Sequence, residues 1–242
     1  MFDKRNQLVF YANILIIVFG LSVIVLSDFI TIAFLLIACG ALLIFEQLKQ
    51  NKGAFSISGL EKTLTVKDTC GTQATLEQKQ NTTACHVDNT VFWFKSITPM
   101  GSVGNFSING QSPVEQTKDG NNQYQVCMAL PANPKATDGL ETVLKYTYKD
   151  AFVRTEGLLT HTVDDETDKL RLVVELPEGR RISTARAYCI HNGKEEALLP
   201  PLISGETRIE TEIDHPKLGA QYCLQWTWPE ANLLKKISCF IK

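Results

Sequence analysis

The sequence predicts an α-helical transmembrane hairpin followed by an all-β soluble region, sandwich-like or barrel, in two modules. Three observations predict it. Residues 8–45 carry few polar side chains: Asn13, Ser22, Ser27, Asp28 and Thr31. All 24 Lys and Arg residues lie outside that run. Beyond residue 53, polar and apolar residues alternate between Gly, Asn and Asp turn signals, the period of half-buried strands.

Residues 1–7 read as a short tail carrying Lys4 and Arg5. The apolar runs that follow, residues 8–26 and 29–45, are 19 and 17 residues long. A spanning helix needs about 20 apolar residues. One straight helix over both runs would measure about 57 Å, well beyond a hydrocarbon core of about 30 Å. Asp28 at the bilayer centre would also be costly. Ser27-Asp28 is therefore expected at the outer turn of a hairpin over residues 8–45. A cleaved secretory signal is disfavoured, because its apolar core is about 7–15 residues and a small-x-small site follows it. A buried helical pair in a soluble core is disfavoured by the near absence of a polar face.

Charge sets the expected orientation. Lys4 and Arg5 precede the hairpin, Lys49 and Lys52 follow it, and the turn has no basic residue. The positive-inside rule then places both termini and the β-rich body in the cytoplasm, at a bacterial inner membrane. In that reducing compartment Cys70, Cys85, Cys127, Cys189, Cys223 and Cys239 are expected as thiols; the reversed topology would allow three disulfides. Within the hairpin, Asn13 is expected to bond across helices or within its own hairpin. Gly20 and Gly40 offer small surfaces for close helix packing.

Residues 46–53 continue as a stalk. Strands are expected within residues 54–79 and at 90–97, 105–108, 123–130, 140–148, 169–176, 185–190, 207–213 and 221–228. The last is the clearest: Tyr222, Leu224, Trp226 and Trp228 share one face. The strands group as one module over 54–150 and a second, sandwich-like one over 151–242. Cys189, Cys223 and Trp226 resemble the core of immunoglobulin-like sandwiches, although the Trp follows both cysteines. The resemblance implies a sandwich only.

No His-Glu-x-x-His, Cys-x-x-Cys, Gly-x-Ser-x-Gly or Walker loop is present, so no catalytic residue, metal or cofactor is expected. Arg180, Arg181 and Arg186 are the densest basic group, the first two at the expected tip of a hairpin turn over 177–181. Guanidinium groups bind phosphate bidentately, which makes these three candidate ligand-binding residues; a solvated turn is the competing reading. From residue 47 onward there are 22 basic and 23 acidic residues, a net charge of −1. That balance argues against a long nucleic-acid partner.

The order of tail, hairpin, stalk and β-rich domain resembles the two-transmembrane-helix, β-rich effectors of bacterial anti-phage signalling. The resemblance implies a non-enzymatic membrane sensor and effector. Its soluble domain would bind a cyclic nucleotide or a protein partner from the same operon. Homo-oligomerisation would then let the hairpins perturb the lipid bilayer. The alternative is a membrane-tethered, non-catalytic adaptor using its β-modules for protein–protein interaction.

Overall fold

The computed structural model describes residues 55–84, 91–98, 100–120, 123–130 and 139–229, together with Ile14, Leu15, Val18, Ile37, Ala38 and Gly40. Contacts divide the chain into Met1–Gly53 and Ala54–Lys242. The six residues described in the first unit have helical backbone, and Gly40 is buried. The expected turn at Ser27-Asp28, and Asn13 and Gly20, lie outside the described residues.

The expected fold class is corrected here. Every extended element among the described residues is a strand, and none of their helices is long and apolar enough to cross a membrane. An apolar run makes burial favourable, but a helical span requires about 20 consecutive helical residues. The described helical positions supply no such run. From Phe55 onward, the fold of the described residues is all-β.

Among the described residues, fifteen strands are present: β1 Phe55–Val66, β2 Gln73–Ala84, β3 Val91–Ile97, β4 Ser102–Ile108, β5 Glu115–Lys118, β6 Tyr124–Ala129, β7 Leu140–Lys149, β8 Glu156–Thr162, β9 Glu166–Thr167, β10 Lys169–Glu175, β11 Thr184–His191, β12 Lys194–Ala197, β13 Leu202–Ser204, β14 Arg208–Asp214 and β15 Gln221–Thr227. The largest sheet runs β13-β14-β10-β1-β2-β7-β4, with β9 beside β1. A four-stranded sheet runs β12-β11-β15-β8, and a three-stranded one β3-β6-β5. Pairing in the large sheet is antiparallel except where β1 meets β9 and β10.

One core joins the three sheets. The β1–β2–β7 register lays its inner face out in rows. Leu64, Leu76 and Tyr146 form one row, and Lys62, Gln78 and Leu144 the next. Leu60, Gln80 and Thr142 form a third. The face thus grades from apolar to polar along the strands, and all nine residues are buried. A bulge at Ser58, between Ile57 and Gly59, keeps Phe55 and Ile57 on the inner side with Leu60. Without the extra residue, a single-residue slip would turn one end of β1 outward.

Two buried cations tie the sheets together. Lys62 of the large sheet donates from Nζ to the carbonyl of Thr160 on β8, at 2.9 Å. Burial lowers its amine to about 8, against an opposing pull from Asp164. His161, next on β8, is pushed down to about 3, by burial first and then by the Lys62 charge. It is therefore neutral at ordinary pH.

Arg180 is the second tie. Its Nε donates to the Thr69 carbonyl in the β1–β2 turn. Its Nη1 donates to the Phe152 carbonyl between β7 and β8, at 3.3 Å. Its guanidinium lies over the Trp228 ring, 4.2 Å from the centroid. Burial lowers its pKa from the usual arginine value, opposed by Asp68. Asp68 itself closes the β1–β2 turn, accepting backbone N–H bonds from Cys70, Thr72 and Gln73. Burial raises that carboxyl, but the three bonds and the Thr72 hydroxyl outweigh it and hold it below the usual aspartate value. Gly71 has φ +73 here, and a Cβ would overlap the Phe152 carbonyl, so the turn requires glycine.

The cysteines depart from the all-thiol expectation. Cys127, Cys189 and Cys223 are free and buried, whereas Cys70 is disulfide-bonded.

Removing the Arg180 clamp leaves two enclosed carbonyls without a donor. Arg180→Met should therefore cost about 2–4 kcal/mol in urea unfolding. Arg181→Gln, which breaks only an exposed pair with Glu206, should cost under about 0.5 kcal/mol. His161 sets an acid response. Its folded-state value lies below the unfolded value of about 6.5, so the unfolded chain binds the extra proton between those limits. Stability should fall as pH drops from about 6.5 towards 3. His161→Gln should lose roughly 1–2 kcal/mol less than the parent between pH 7 and 4.5. Equal losses in urea titrations of the two proteins would remove His161 from the acid response.

Candidate functional site

Three short strands are fully exposed: β5, β12 and β13. The first reads Glu-Gln-Thr-Lys and the second Lys-Glu-Glu-Ala. Charged side chains of this kind discourage pairing with another chain. The third, Leu-Ile-Ser, has no charge. It follows Leu198-Leu199-Pro200-Pro201, so the run from Leu198 to Ile203 carries no charge and no polar side chain.

The exposure is large. Leu199 is 86% accessible, Leu202 60% and Ile203 47%. Burying one such side chain contributes about 1.5–3 kcal/mol, so leaving three uncovered within five residues is costly. The segment is nevertheless firmly held. Leu198 donates its N–H to the Ala187 carbonyl at 3.0 Å, and β13 pairs with β14 from Leu202↔Glu210 to Ser204↔Arg208. Gly205 and Glu206, both at positive φ, make the tight turn between them. The carbonyls of Glu206 and Thr207 in that turn accept bonds from Ile182 and Leu176.

Geometry gives the two aliphatic residues of β13 different roles. Ile203 stands opposite Ile209, which is fully buried, so it carries the inner apolar face to the sheet edge. Leu202 stands opposite Glu210, on the charged outer face. There Glu210 is bound by Arg171 at 2.8 Å and by Arg208 at 3.2 Å. Burial pushes the Glu210 carboxyl up, but those two guanidinium groups outweigh it and hold it below its ordinary value. Pro200 and Pro201 lack an N–H and so stop the ladder from extending backwards. What remains is a three-residue edge with an aliphatic margin, paired only with β14 among the described residues. Such an edge can accept an extended strand.

The arginines singled out from the sequence do not converge. The segment over 177–181 is a crossing between sheets, since β10 and β11 belong to different ones. Arg180 turns inward as the clamp. Arg181 pairs with Glu206 at 3.0 Å. Arg186 lies on the four-stranded sheet, bonded to Gln225 at 2.8 Å and Glu195 at 3.2 Å, over the Tyr188 ring. Each guanidinium is engaged with this chain's own groups. Of the helix-packing residues, Gly40 is described and buried, whereas Asn13 and Gly20 lie outside the described residues. Among the described residues no three His, Cys, Asp or Glu side chains gather as metal ligands would. The β13 edge escaped the sequence reading. Its signal was the uncharged run Leu-Leu-Pro-Pro-Leu-Ile beside the charged Lys-Glu-Glu.

No protein-family model and no curated protein matches the chain. Solved structures with a similar arrangement include an M1 zinc metallopeptidase from Deinococcus radiodurans. It is 12% identical with a TM-score of 0.41, over 72% of this chain and 42% of that one. Yeast LTA4 hydrolase in complex with bestatin is 9% identical with a TM-score of 0.42, over 71% of this chain and 28% of that one. The chain thus spans less than half the length of these structures. Similarity this slight says nothing of activity.

Proposed function

We propose that residues 55–229 form a non-catalytic interaction module that assembles through the β13 edge, first with a second copy of itself. The observation that carries this reading is the exposed aliphatic run Leu199, Leu202 and Ile203 on the one uncharged member of the three exposed short strands. Two β13 edges meeting antiparallel across a two-fold axis would each supply the other's missing ladder bonds. Ile203 of each copy would then cover the apolar margin of the other. The neighbouring pairs Arg186–Glu195 and Lys217–Glu196 would form a charged rim.

This is the adaptor reading of the chain. The reading as a nucleotide-gated membrane effector draws no support from Arg180, Arg181 and Arg186, since their guanidinium groups are committed to protein partners. A phosphate would have to displace Glu206 from Arg181, or Glu195 from Arg186, and would break the core clamp at Arg180.

Sedimentation velocity of the full chain tests the proposal. The parent should show concentration-dependent dimers. Ile203→Lys, which places a charge on the edge, should shift dissociation by at least tenfold while its melting temperature stays within about 2 °C. A chain that is monomeric at its highest soluble concentration, or an Ile203→Lys variant that associates like the parent, overturns homotypic assembly.

A further inference from the structure

Cys70 is held by a disulfide, whereas Cys127, Cys189 and Cys223 are free. The cysteines left within the sequence are Cys39, Cys85 and Cys239. Cys39 belongs to the other unit, Met1–Gly53. Two candidates therefore remain in the unit that holds Cys70.

Strand β2 excludes the first of them. Cys70 lies in the turn between β1 and β2, where Lys67 donates its N–H to the Gln73 carbonyl at 2.8 Å. Cys85 directly follows Ala84, the last of the twelve residues of β2, which pairs with Phe55 at the opposite end of the hairpin. At about 3.3 Å per residue, a strand of that length keeps the two cysteines roughly 40 Å apart. A disulfide needs Cα atoms within about 7 Å of each other.

The path of the chain favours Cys239. Trp228 is fixed twice: its backbone N–H donates to the Thr155 carbonyl at 3.0 Å, and its Nε1 donates to the Arg154 carbonyl at 2.7 Å. Its ring lies 4.2 Å from the Arg180 guanidinium, whose Nε donates to the Thr69 carbonyl. One guanidinium thus separates the end of the last strand's path from the residue before Cys70. Cys239 follows Trp228 by eleven residues, a tether that reaches up to about 40 Å. That is ample for a return to the turn. The turn also offers a fixed target, since the Cys70 N–H is bonded to Asp68 at 2.8 Å and Gly71 follows at φ +73.

From this placement we propose that Cys70 is bonded to Cys239, so that the C-terminal segment is strapped to the β1–β2 turn beside the Arg180 clamp. The bond forms by exchange with an oxidised dithiol protein. The carrier's S–S bond breaks, the Cys70–Cys239 bond forms, and the two thiol protons leave on the carrier's sulfurs. The chain loses two electrons and the carrier gains them. Such a bond persists where thiols are kept oxidised, which runs against the cytoplasmic setting expected from charge. Assembly through β13 plays no part in it.

Peptide mapping of the full chain tests this. Trypsin leaves Cys39, Cys70, Cys85 and Cys239 in separate peptides, residues 6–49, 68–79, 80–95 and 237–242. The protein is equilibrated in a glutathione buffer poised as in an oxidising compartment, alkylated, and digested without reduction. Peptide 68–79 should be recovered joined to peptide 237–242, a readout that needs no variant to fold. Reduction should lower the melting temperature of the parent by about 5–15 °C and leave that of Cys239→Ser unchanged. Peptide 68–79 joined to 6–49 or to 80–95, a link between two chains, or Cys70 alkylated in the parent overturns the proposal. So does an equal loss on reduction in the parent and in Cys239→Ser.

Discussion

One guanidinium holds three separate pieces of this domain to one another. Arg180 bonds the β1–β2 turn through Thr69, the β7–β8 connection through Phe152, and stacks on Trp228 just past β15. The first belongs to the large sheet and the last to the four-stranded one. Placing a charge in that setting is unfavourable by itself, and its pKa is lowered accordingly. The two carbonyls and the ring face compensate. The Asp68 turn and Gly71 then have little freedom, because both lie against the same clamp. Trp226, stacked on Phe152 at 6.0 Å and tilted against Trp228, carries the constraint into the centre of the core.

The sequence showed much of this fold and little of its site. Strands with three inward apolar positions, such as β10 and β15, were legible because alternation is strong where one face is buried. Strand β8 was not. Its inward residues are Gly157, Leu159 and His161, a pattern with no apolar stripe. Gly157 is there because the Trp226 ring occupies the space of a Cβ. His161 completes that face, near enough to Lys62 to feel its charge. Strands β5, β12 and β13 bury nothing, so periodicity had nothing to detect. The apolar run over 8–45 was read as a helical hairpin, yet composition fixes neither the length nor the continuity of a helix.

The arginines illustrate a different limit. Three cations within seven residues looked like one cluster. The backbone between them passes from one sheet towards another, so adjacent residues face opposite environments. Arg180 enters the core and Arg181 stays in solvent, which no count of charges distinguishes. The polar half of the sandwich was hidden for the same reason. Lys62, Gln78, Gln80 and Thr142 are of residue types found mostly at the surface. Only the register of β1, β2 and β7 reveals them as rows on the inner face.

The parallel pairing of β1 with β10 sets the order in which the chain can be completed as it leaves the ribosome. Leu60 meets Leu170 and Thr65 meets Glu175, about 110 residues apart. Hairpin β1–β2 can close as soon as it emerges, and β7 can join it later. The far side of β1 stays bare until β10 appears. During that interval the nascent domain carries an open strand edge with a mainly apolar inner face, the kind of surface that engages chaperones or neighbouring chains. The strand at the centre of the finished sheet is thus, during synthesis, its most vulnerable margin.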